Sequence, residues 1–319
     1  MLDIEKEDIP SGTTKEEYLA SLKSIETENK IDRVFYRKVG YKIAVALVPT
    51  GVSPNTVTII SIIIGVLTGP MIYFSSANYI WGILGIACLV VANILDCVDG
   101  QLSRLTGKKS NIGRILDGMA GDLWFLSIYA GISMRLVSEY HTSVFYIFAL
   151  LSLVSHLSQA GLTDYYKTLH LLFISPEKGA EFDDIESINK KYEAMEPGLN
   201  KLFFWFYRYY TTAQMMATPN LQKMVGVVRK YFKGFRLPEE ESLQFRRGSI
   251  MVMKLVDLLT FNGRSIALFI SILLQRLWIY LAYEIIVLNI VLFVSRLQHE
   301  TLCEFYTEYI EKKYKDERN

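Results

Sequence analysis

The sequence has few residues suited to disulfide or soft-metal chemistry, since its 319 residues include only three cysteines and four histidines. Cys88, Cys97 and Cys303 form no C-x-x-C pair, so we expect buried reduced thiols rather than a disulfide framework. The histidines are not clustered at ligand spacing, which argues against a zinc site.

The sequence also has almost no net charge, because 34 basic and 33 acidic residues leave +1. It contains no basic tract with interleaved aromatic residues, so no nucleic acid partner is expected. The first residues, MLDIEKED, are acidic and polar, unlike a secretory signal. In contrast, 51% of the residues are hydrophobic and fall in long runs between charged intervals. This pattern indicates an integral membrane protein.

Six apolar runs have roughly the twenty residues needed to cross a hydrocarbon core of ~30 Å. The predicted fold class is therefore all-α and integral to the membrane, with six transmembrane helices. Residues 31–48 mix basic and apolar side chains, which predicts an amphipathic helix in the membrane interface ahead of them. An ordinary packed helix is the alternative for that segment. The predicted spans are 56–76, 79–98, 112–134, 142–172, 262–279 and 280–298.

Six spans place both termini on one side of the membrane, together with the most basic connections. By the positive-inside rule that side is cytoplasmic, in the inner or plasma membrane if the organism is bacterial. The polar intervals divide the chain into five parts. These are a cytosolic N-terminal arm (1–30), the amphipathic helix with the first four spans (31–174), a cytosolic or interfacial helical insert (175–249), the last two spans (250–298) and a cytosolic tail (299–319).

Aspartates stand at the edges of the second and third spans, in the stretch DCVDGQLSRLTGKKSNIGRILDGMAGD. An ionised carboxylate there is costly unless a cation or a reaction requires it. Asp96 and Asp99 are three residues apart and share a helix face. If the two spans form a hairpin, Asp117 joins them, and three hard oxygen ligands indicate Mg²⁺ or Mn²⁺.

The same stretch carries groups suited to a bound diphosphate. Arg104 and the loop lysines can pair with phosphate oxygens, and Gly100 and Gly113 leave room for a bulky ligand. Together these groups fit phosphoryl transfer, in which a carboxylate takes a proton from the attacking hydroxyl. A cation transporter is an alternative of another class, although transporter carboxylates tend to lie near the midplane. An inactive scaffold is a third.

The stretch resembles the signature of the CDP-alcohol phosphotransferases, D-x2-D-G-x2-A-R-x8-G-x3-D-x3-D. Upstream, Pro54, Asn55 and Thr58 match the family's P-N-x-x-T element. The resemblance covers 31–174 well and the last two spans by topology only. The residues in register with the signature are Asp96, Asp99, Gly100, Arg104, Gly113 and Asp117.

This resemblance implies a phospholipid-synthesis enzyme (EC 2.7.8.-). It would transfer a phospho-alcohol group from a CDP-linked donor to an acceptor hydroxyl and release CMP. It also implies a homodimer among membrane lipids and two ions of Mg²⁺ or Mn²⁺. The implied metal ligands are Asp96, Asp99 and Asp117, and the implied nucleotide-binding residues are Asn55, Thr58, Gly100, Ser103, Arg104 and Gly113.

Two positions depart from the signature. Ser103 replaces a small alanine, which we expect to be harmless. The family's fourth aspartate, its general base, falls at Gly121, and Asp122 follows. On a regular helix a residue five positions after Asp117 points about 140° away from it. A π-bulge at Gly121 would make Asp122 the catalytic base. Another group or a bound water as base, and an altered or lost activity, are the alternatives.

The motif does not decide the direction of transfer, because it binds the CDP part common to both directions. One option is CDP-diacylglycerol with a small polar acceptor. The other is a soluble CDP-headgroup, such as CDP-inositol or CDP-ethanolamine, with a lipid hydroxyl. Basic residues favour a phosphorylated polyol acceptor, specifically inositol phosphate. Lys167 and Arg264 are the acceptor-site candidates, with interhelical hydrogen bonding and interfacial anchoring as their structural alternatives.

Overall fold

The computed structural model describes residues 9–24, 26–108, 110–176, 182 and 185–316. Within these ranges it is helical without strands, which confirms the predicted all-α class. Parts of the predicted arm (1–8 and 25), insert (177–181, 183 and 184) and tail (317–319) lie outside the described residues. Among the described residues, six helices are long and apolar enough to span a membrane, as predicted. They are Pro54–Phe74, Tyr79–Thr106, Gly113–Tyr140, Val144–Ile174, Glu239–Leu273 and Leu277–Lys315.

The chain divides into two compact units. The first comprises Met1–Leu157 and Phe261–Val287, and the second comprises Ser158–Thr260 and Leu288–Asn319. Helices of the first unit are α1 (Lys15–Ser21), α2 (Arg37–Leu47), α3 (Pro54–Val66), α4 (Thr68–Phe74), α5 (Tyr79–Thr106), α6 (Asn111–Tyr140), the first part of α7 (Val144–Ile174), α12 (Phe261–Leu273) and α13 (Leu277–Ala282).

The helix predicted for 31–48 is present as a π-helical turn, Asp32–Tyr36, that continues into α2. Its location in the membrane interface stays a prediction. The predicted boundary between the last two spans, at 279–280, is wrong. The turn lies at 274–276, where Gln275 has a positive φ of 56° and the apolar pattern alone gives no stop signal.

The first span begins at a well-formed cap and is interrupted once. Ser53 accepts a hydrogen bond from the Thr56 amide at 3.2 Å, and Pro54 occupies the first helical position. Pro70 has no N–H, so the carbonyl oxygen of Val66 lacks its intrahelical donor. The Ser127 hydroxyl on α6 donates to that oxygen at 2.7 Å. A neighbouring helix thus satisfies the backbone group that the proline leaves open.

Close helix contacts build the core of the first unit. A Cβ on Gly69 of α4 would overlap Ser127, and a Cβ on Gly131 would overlap the Gly69 backbone, so α4 and α6 cross almost backbone to backbone. Buried aromatic residues then fill the space between α6, α12 and α13, including Trp124, Tyr129 and Tyr280. These contacts fix the register of α6, which carries part of the aspartate motif.

The second unit contains the predicted insert and the C-terminal helix. In addition to the end of α7, its helices are α8 (Ile185–Glu193), α9 (Leu199–Ala217), α10 (Pro219–Tyr231), α11 (Glu239–Val256) and α14 (Leu288–Asp316). Glu241 is buried and accepts hydrogen bonds from Lys313 and Tyr314, each at 2.6 Å. Residues of the predicted insert and tail therefore pack against each other, and the tail is helical up to Asp316, as part of α14.

Candidate metal and nucleotide site

Three predicted metal ligands come together between the end of α5 and the beginning of α6. Asp96, Asp99 and Asp117 each offer a carboxylate oxygen, and these oxygens lie within 4.8 Å of one another. Asp99 is buried, Asp96 is half-buried and Asp117 is exposed. Three like charges at this spacing repel unless a cation lies among them. Their hard oxygen donors fit a divalent ion such as Mg²⁺ or Mn²⁺.

The orientation of Asp99 is set by the first span. The Oγ1 atom of Thr58 lies 2.5 Å from Oδ2 of Asp99 and 3.1 Å from the carbonyl oxygen of Pro54. A hydroxyl has one proton, and the shorter contact to the carboxylate is the charge-assisted one. Thr58, predicted near the nucleotide, therefore acts here on the carboxylate cluster by orienting Asp99.

The start of α6 is built around Asn55. Ser110 caps the helix by accepting a hydrogen bond from the Gly113 amide at 2.9 Å, and the Asn55 amide donates to the same Oγ at 3.2 Å. A Cβ on Gly113 would overlap Oδ1 of Asn55, so a larger residue there would have to displace the Asn55 amide. The structure thus brings together two predicted nucleotide residues. Ser110 was missed in the sequence, although a serine three residues before Gly113 is a recognisable cap signal.

The other three predicted nucleotide residues, Gly100, Ser103 and Arg104, lie in the last turns of α5. The Arg104 guanidinium covers Gly100, since a Cβ at position 100 would lie 3.1 Å from Nη2. Nε of Arg104 donates to the carbonyl oxygen of Ser21 at 2.5 Å. Ser103 donates to the carbonyl oxygen of Lys108 at 2.8 Å, so it orders the α5–α6 connection. A nucleotide contact by Ser103 stays a prediction.

A cation that the sequence did not single out faces the cluster. Arg37 of α2 interacts electrostatically with Asp96 and Asp99 and donates to Oε2 of Glu28 at 2.8 Å. In the sequence it is one of several basic residues on an amphipathic helix, and nothing there marks it as inward-facing. The neighbouring Tyr36 cannot serve as a base near neutral pH, because burial and then the charge of Asp32 raise its pKa to about 12.

Asp122 does not follow the predicted route to the cluster. Residues 111–140 form an uninterrupted α-helix, and the π-bulge predicted at Gly121 is wrong. Asp122 therefore keeps the rotation of a regular helix, and its Oδ1 lies 3.2 Å from Nε2 of the buried His156. His156 in turn packs on the ring of Phe125 at 4.7 Å. The geometry therefore does not place Asp122 in the carboxylate cluster, and a general-base role for Asp122 stays a prediction.

The position of the family's fourth aspartate is open. A Cβ added at Gly121 would meet no heavy atom within 4 Å, and the same holds at Gly118. Position 121 lies four residues after Asp117, about 40° around the helix, and so on the same face. A ligand or water therefore has room at this face of α6 where the family signature has a carboxylate.

The two acceptor-site candidates are both engaged in ion pairs. Arg264 on α12 is buried and pairs with the equally buried Glu284, on the π-helical turn Tyr283–Val287. A buried, paired guanidinium is not available to an acceptor phosphate, so the prediction for Arg264 is not supported. Lys167 belongs to the second unit, where Nζ lies 2.6 Å from Oδ1 of Asp257. An acceptor role for Lys167 stays a prediction.

Comparisons with known proteins converge on these same helices. Residues 51–170 match the CDP-alcohol phosphatidyltransferase family. The chain is 31% identical over 106 residues to the phosphatidylinositol phosphate synthase of Streptomyces avermitilis. That alignment covers 33% of this chain and 42% of the relative. It is 36% identical over 93 residues to the archaetidylinositol phosphate synthase of Pyrococcus horikoshii. That alignment covers 29% of this chain and 47% of the relative.

The chain thus spans less than half the length of each of these relatives. The family match includes the three clustered aspartates, Asn55 and the glycines of the motif, all of which lie in the first unit. Sequence motif, geometry and comparison therefore agree on one segment. Residues 51–170 of this chain therefore resemble the CDP-alcohol phosphatidyltransferase family.

Proposed function

We propose that the protein transfers a phospho-alcohol group from a CDP-linked donor to an acceptor hydroxyl and releases CMP, in phospholipid biosynthesis. One observation carries the proposal. Three carboxylates converge within 4.8 Å at the ends of two membrane helices, inside the segment that matches the family. Apolar residues such as alanine or leucine would pack more favourably at these positions. The negative charge of the cluster therefore indicates that it binds a cation.

Asp96, Asp99 and Asp117 would hold the divalent metal, Mg²⁺ or Mn²⁺ as one or two ions. When bound, the metal neutralises diphosphate oxygens and polarises the phosphorus for attack. Thr58 keeps the Asp99 carboxylate in one orientation, and Arg37 balances part of the cluster's charge. Orientation by such supporting hydrogen bonds is what gives a metal site its affinity.

The nucleotide would occupy the groove beside the motif glycines. Gly100 and Gly113 bring backbone and ligand close together, and the Arg104 guanidinium offers N–H donors to phosphate oxygens. The remaining members of the proposed nucleotide site are Asn55, Thr58 and Ser103.

In the reaction the acceptor oxygen attacks the β-phosphorus of the donor. The bond from that phosphorus to the bridging oxygen breaks, and CMP leaves with the electron pair. The hydroxyl proton passes to a base. The open face beside Gly121 could hold a water in that role, and Asp122 is the other candidate. A new phosphodiester is the second product.

For the substrates we propose CDP-diacylglycerol as donor and inositol phosphate as acceptor. The names of the two relatives support this choice, since both describe inositol phosphate lipid synthases. A soluble CDP-headgroup with a lipid hydroxyl acceptor is the second candidate, because the CDP part is common to both. The site would face the cytoplasm, with the basic α5–α6 connection on the positive-inside side, and two copies would form a homodimer.

The test is Mg²⁺-dependent CMP release by the purified protein in lipid. CDP-diacylglycerol is offered with inositol phosphate, glycerol phosphate or serine, and CDP-inositol or CDP-ethanolamine with diacylglycerol. We expect release with CDP-diacylglycerol and inositol phosphate, and none after chelation by EDTA. Release with only a soluble CDP-headgroup would reverse the direction of transfer. No release with any pair, from protein that binds CDP, would contradict the proposed activity. Chemical crosslinking in the same membranes tests the dimer.

A further inference from the structure

Helix α1 contacts a proposed donor-site residue from outside the family segment. It is separated from the matched segment 51–170 by the 29 residues 22–50, yet its last residue lies against α5. The carbonyl oxygen of Ser21 accepts a hydrogen bond from Nε of Arg104 at 2.5 Å. The Ser21 hydroxyl also accepts one from Nε2 of Gln101, one turn earlier on α5, at 3.3 Å. Two side chains of the motif helix thus meet one residue of α1.

The end of α1 has a reason to attract a cation. The last carbonyl groups of a helix lack intrahelical donors, and basic side chains commonly satisfy them. The last turn of α1 has no basic residue of its own, and the chain turns extended at Leu22. Arg104 fills this role from another helix, so the same guanidinium both caps α1 and lies over Gly100.

Helix α1 is firmly held where it makes this contact. Tyr18 is completely buried and packs edge-on against Tyr41 of α2, with ring centroids 5.4 Å apart. At the other end, Thr14 and Glu17 form a reciprocal capping box. Hydrogen bonds from the Thr14 backbone and hydroxyl hold the pKa of Glu17 below its usual range. A seven-residue helix is too short to persist alone, so these anchors keep the Ser21 carbonyl in place.

We propose that α1 is a positioning element of the donor site, which fixes the Arg104 guanidinium for the diphosphate of the CDP-linked donor. This inference rests on the proposed function and deepens it. Nε donates to Ser21, and this hydrogen bond sets the direction of the guanidinium above Gly100. An arginine fixed before the ligand arrives loses less rotamer freedom when it binds. The N-terminal arm is then part of the enzyme's binding machinery.

The test is CDP binding by the full-length protein in lipid with Mg²⁺, by titration calorimetry. Tyr18→Ala should release α1 and weaken CDP binding about tenfold, the scale of freeing one long side chain. The donor KM should rise similarly while the acceptor KM is unchanged. Tyr18→Phe is the matched control, since it keeps the buried ring and should stay within about twofold of wild type. Thr14→Ala, which removes only the cap, should show a smaller effect in the same direction.

A double-mutant cycle separates positioning from general destabilisation. In an Arg104→Ala background, Tyr18→Ala should change the CDP dissociation constant less than about twofold. Equal weakening in both backgrounds would overturn the inference, as would unchanged CDP binding in both Tyr18→Ala and Thr14→Ala. Failure of the proposed function is distinguishable, because it would leave the wild-type protein without CMP release whatever the cycle gives.

Discussion

The Thr58 hydroxyl and the Asp99 carboxylate lie 2.5 Å apart, with both side chains buried. This contact joins the P-N-x-x-T element of the first span to the aspartate motif of the second. It explains why two short sequence elements about forty residues apart belong to one site.

Replacing Thr58 by valine should weaken the site without unfolding the protein. Valine keeps the shape but removes the donor to Asp99, and lost support of this kind costs about 10–100-fold in metal affinity or activity. The measurement is the Mg²⁺ concentration that gives half-maximal CMP release. Thr58→Ser, which retains the hydroxyl, is the control and should stay close to wild type. Equal loss in both variants would assign Thr58 a packing role instead.

Removing a clustered carboxylate should abolish the reaction. Asp96→Asn and Asp117→Asn each take away one charged ligand, so we expect CMP release to fall by several orders of magnitude in a folded protein. Glu139→Gln is the matched control, because Glu139 is an exposed carboxylate at the far end of α6. Full activity of either aspartate variant would contradict the metal-site assignment.

The missing fourth aspartate can be restored at its own position. Because a Cβ at Gly121 meets nothing within 4 Å, Gly121→Asp should fold normally and place a carboxylate on the face of Asp117. If the native base is a water, we expect faster CMP release and a rate that falls at low pH as that carboxylate protonates. Gly118→Asp, at an equally open position, is the control.

The role of Asp122 is tested by the variant Asp122→Asn in the same assay of CMP release. Because its carboxylate contacts His156 instead of the cluster, Asp122→Asn should lower the rate by less than about tenfold. A loss comparable to that of Asp117→Asn would instead identify Asp122 as the base, brought to the site by a change of α6 on substrate binding.

Gly113 and Gly121 should respond differently to the same substitution. A Cβ at Gly113 overlaps Asn55, so Gly113→Ala should lower the free energy of unfolding by about 1–3 kcal/mol and weaken CDP binding. Gly121→Ala has open space and serves as its control. Thermal unfolding in detergent together with CDP titration measures both effects. Similar behaviour of the two variants would mean that the close approach of Asn55 is not needed.

Arg264 and Glu284 should behave as a structural pair. Arg264→Met leaves a buried carboxylate without its partner, which should cost about 3–5 kcal/mol of unfolding free energy. The double variant Arg264→Met, Glu284→Leu removes both charges and should recover most of that stability. Its KM for inositol phosphate should match that of wild type. If the stable double variant has a raised KM for inositol phosphate, Arg264 contributes to acceptor binding after all.

The sequence was sufficient to predict six spans, although not the boundary between the last two, and to predict the aspartate cluster. Asp96 and Asp99 share a face through helix geometry alone, and Asp117 follows once the two spans pair. The partners of Arg264 and Asp122 could not be predicted in the same way. Each is chosen by the rotation of one helix against another, and a residue pattern does not contain that angle.

The contact of α1 with Arg104 was missed for a related reason. Ser21 and Arg104 are 83 positions apart in sequence, so no local pattern links them, and the acceptor is a backbone carbonyl that every residue has. Tyr18 offered the only hint, as a single aromatic residue in a polar arm. The sequence also could not decide whether α6 has a π-bulge at Gly121, because glycine permits such a bulge without requiring one.

The length of helix α14 is useful for determining the membrane topology of this protein. Its 29 residues form a rod of about 44 Å, longer than the hydrocarbon core, that runs unbroken to Asp316. A reporter fused in helical register to its end would move as one body with α14. Fluorescence from such a fusion, quenched from one side of a sealed vesicle at a time, would reveal which compartment the carboxyl end occupies.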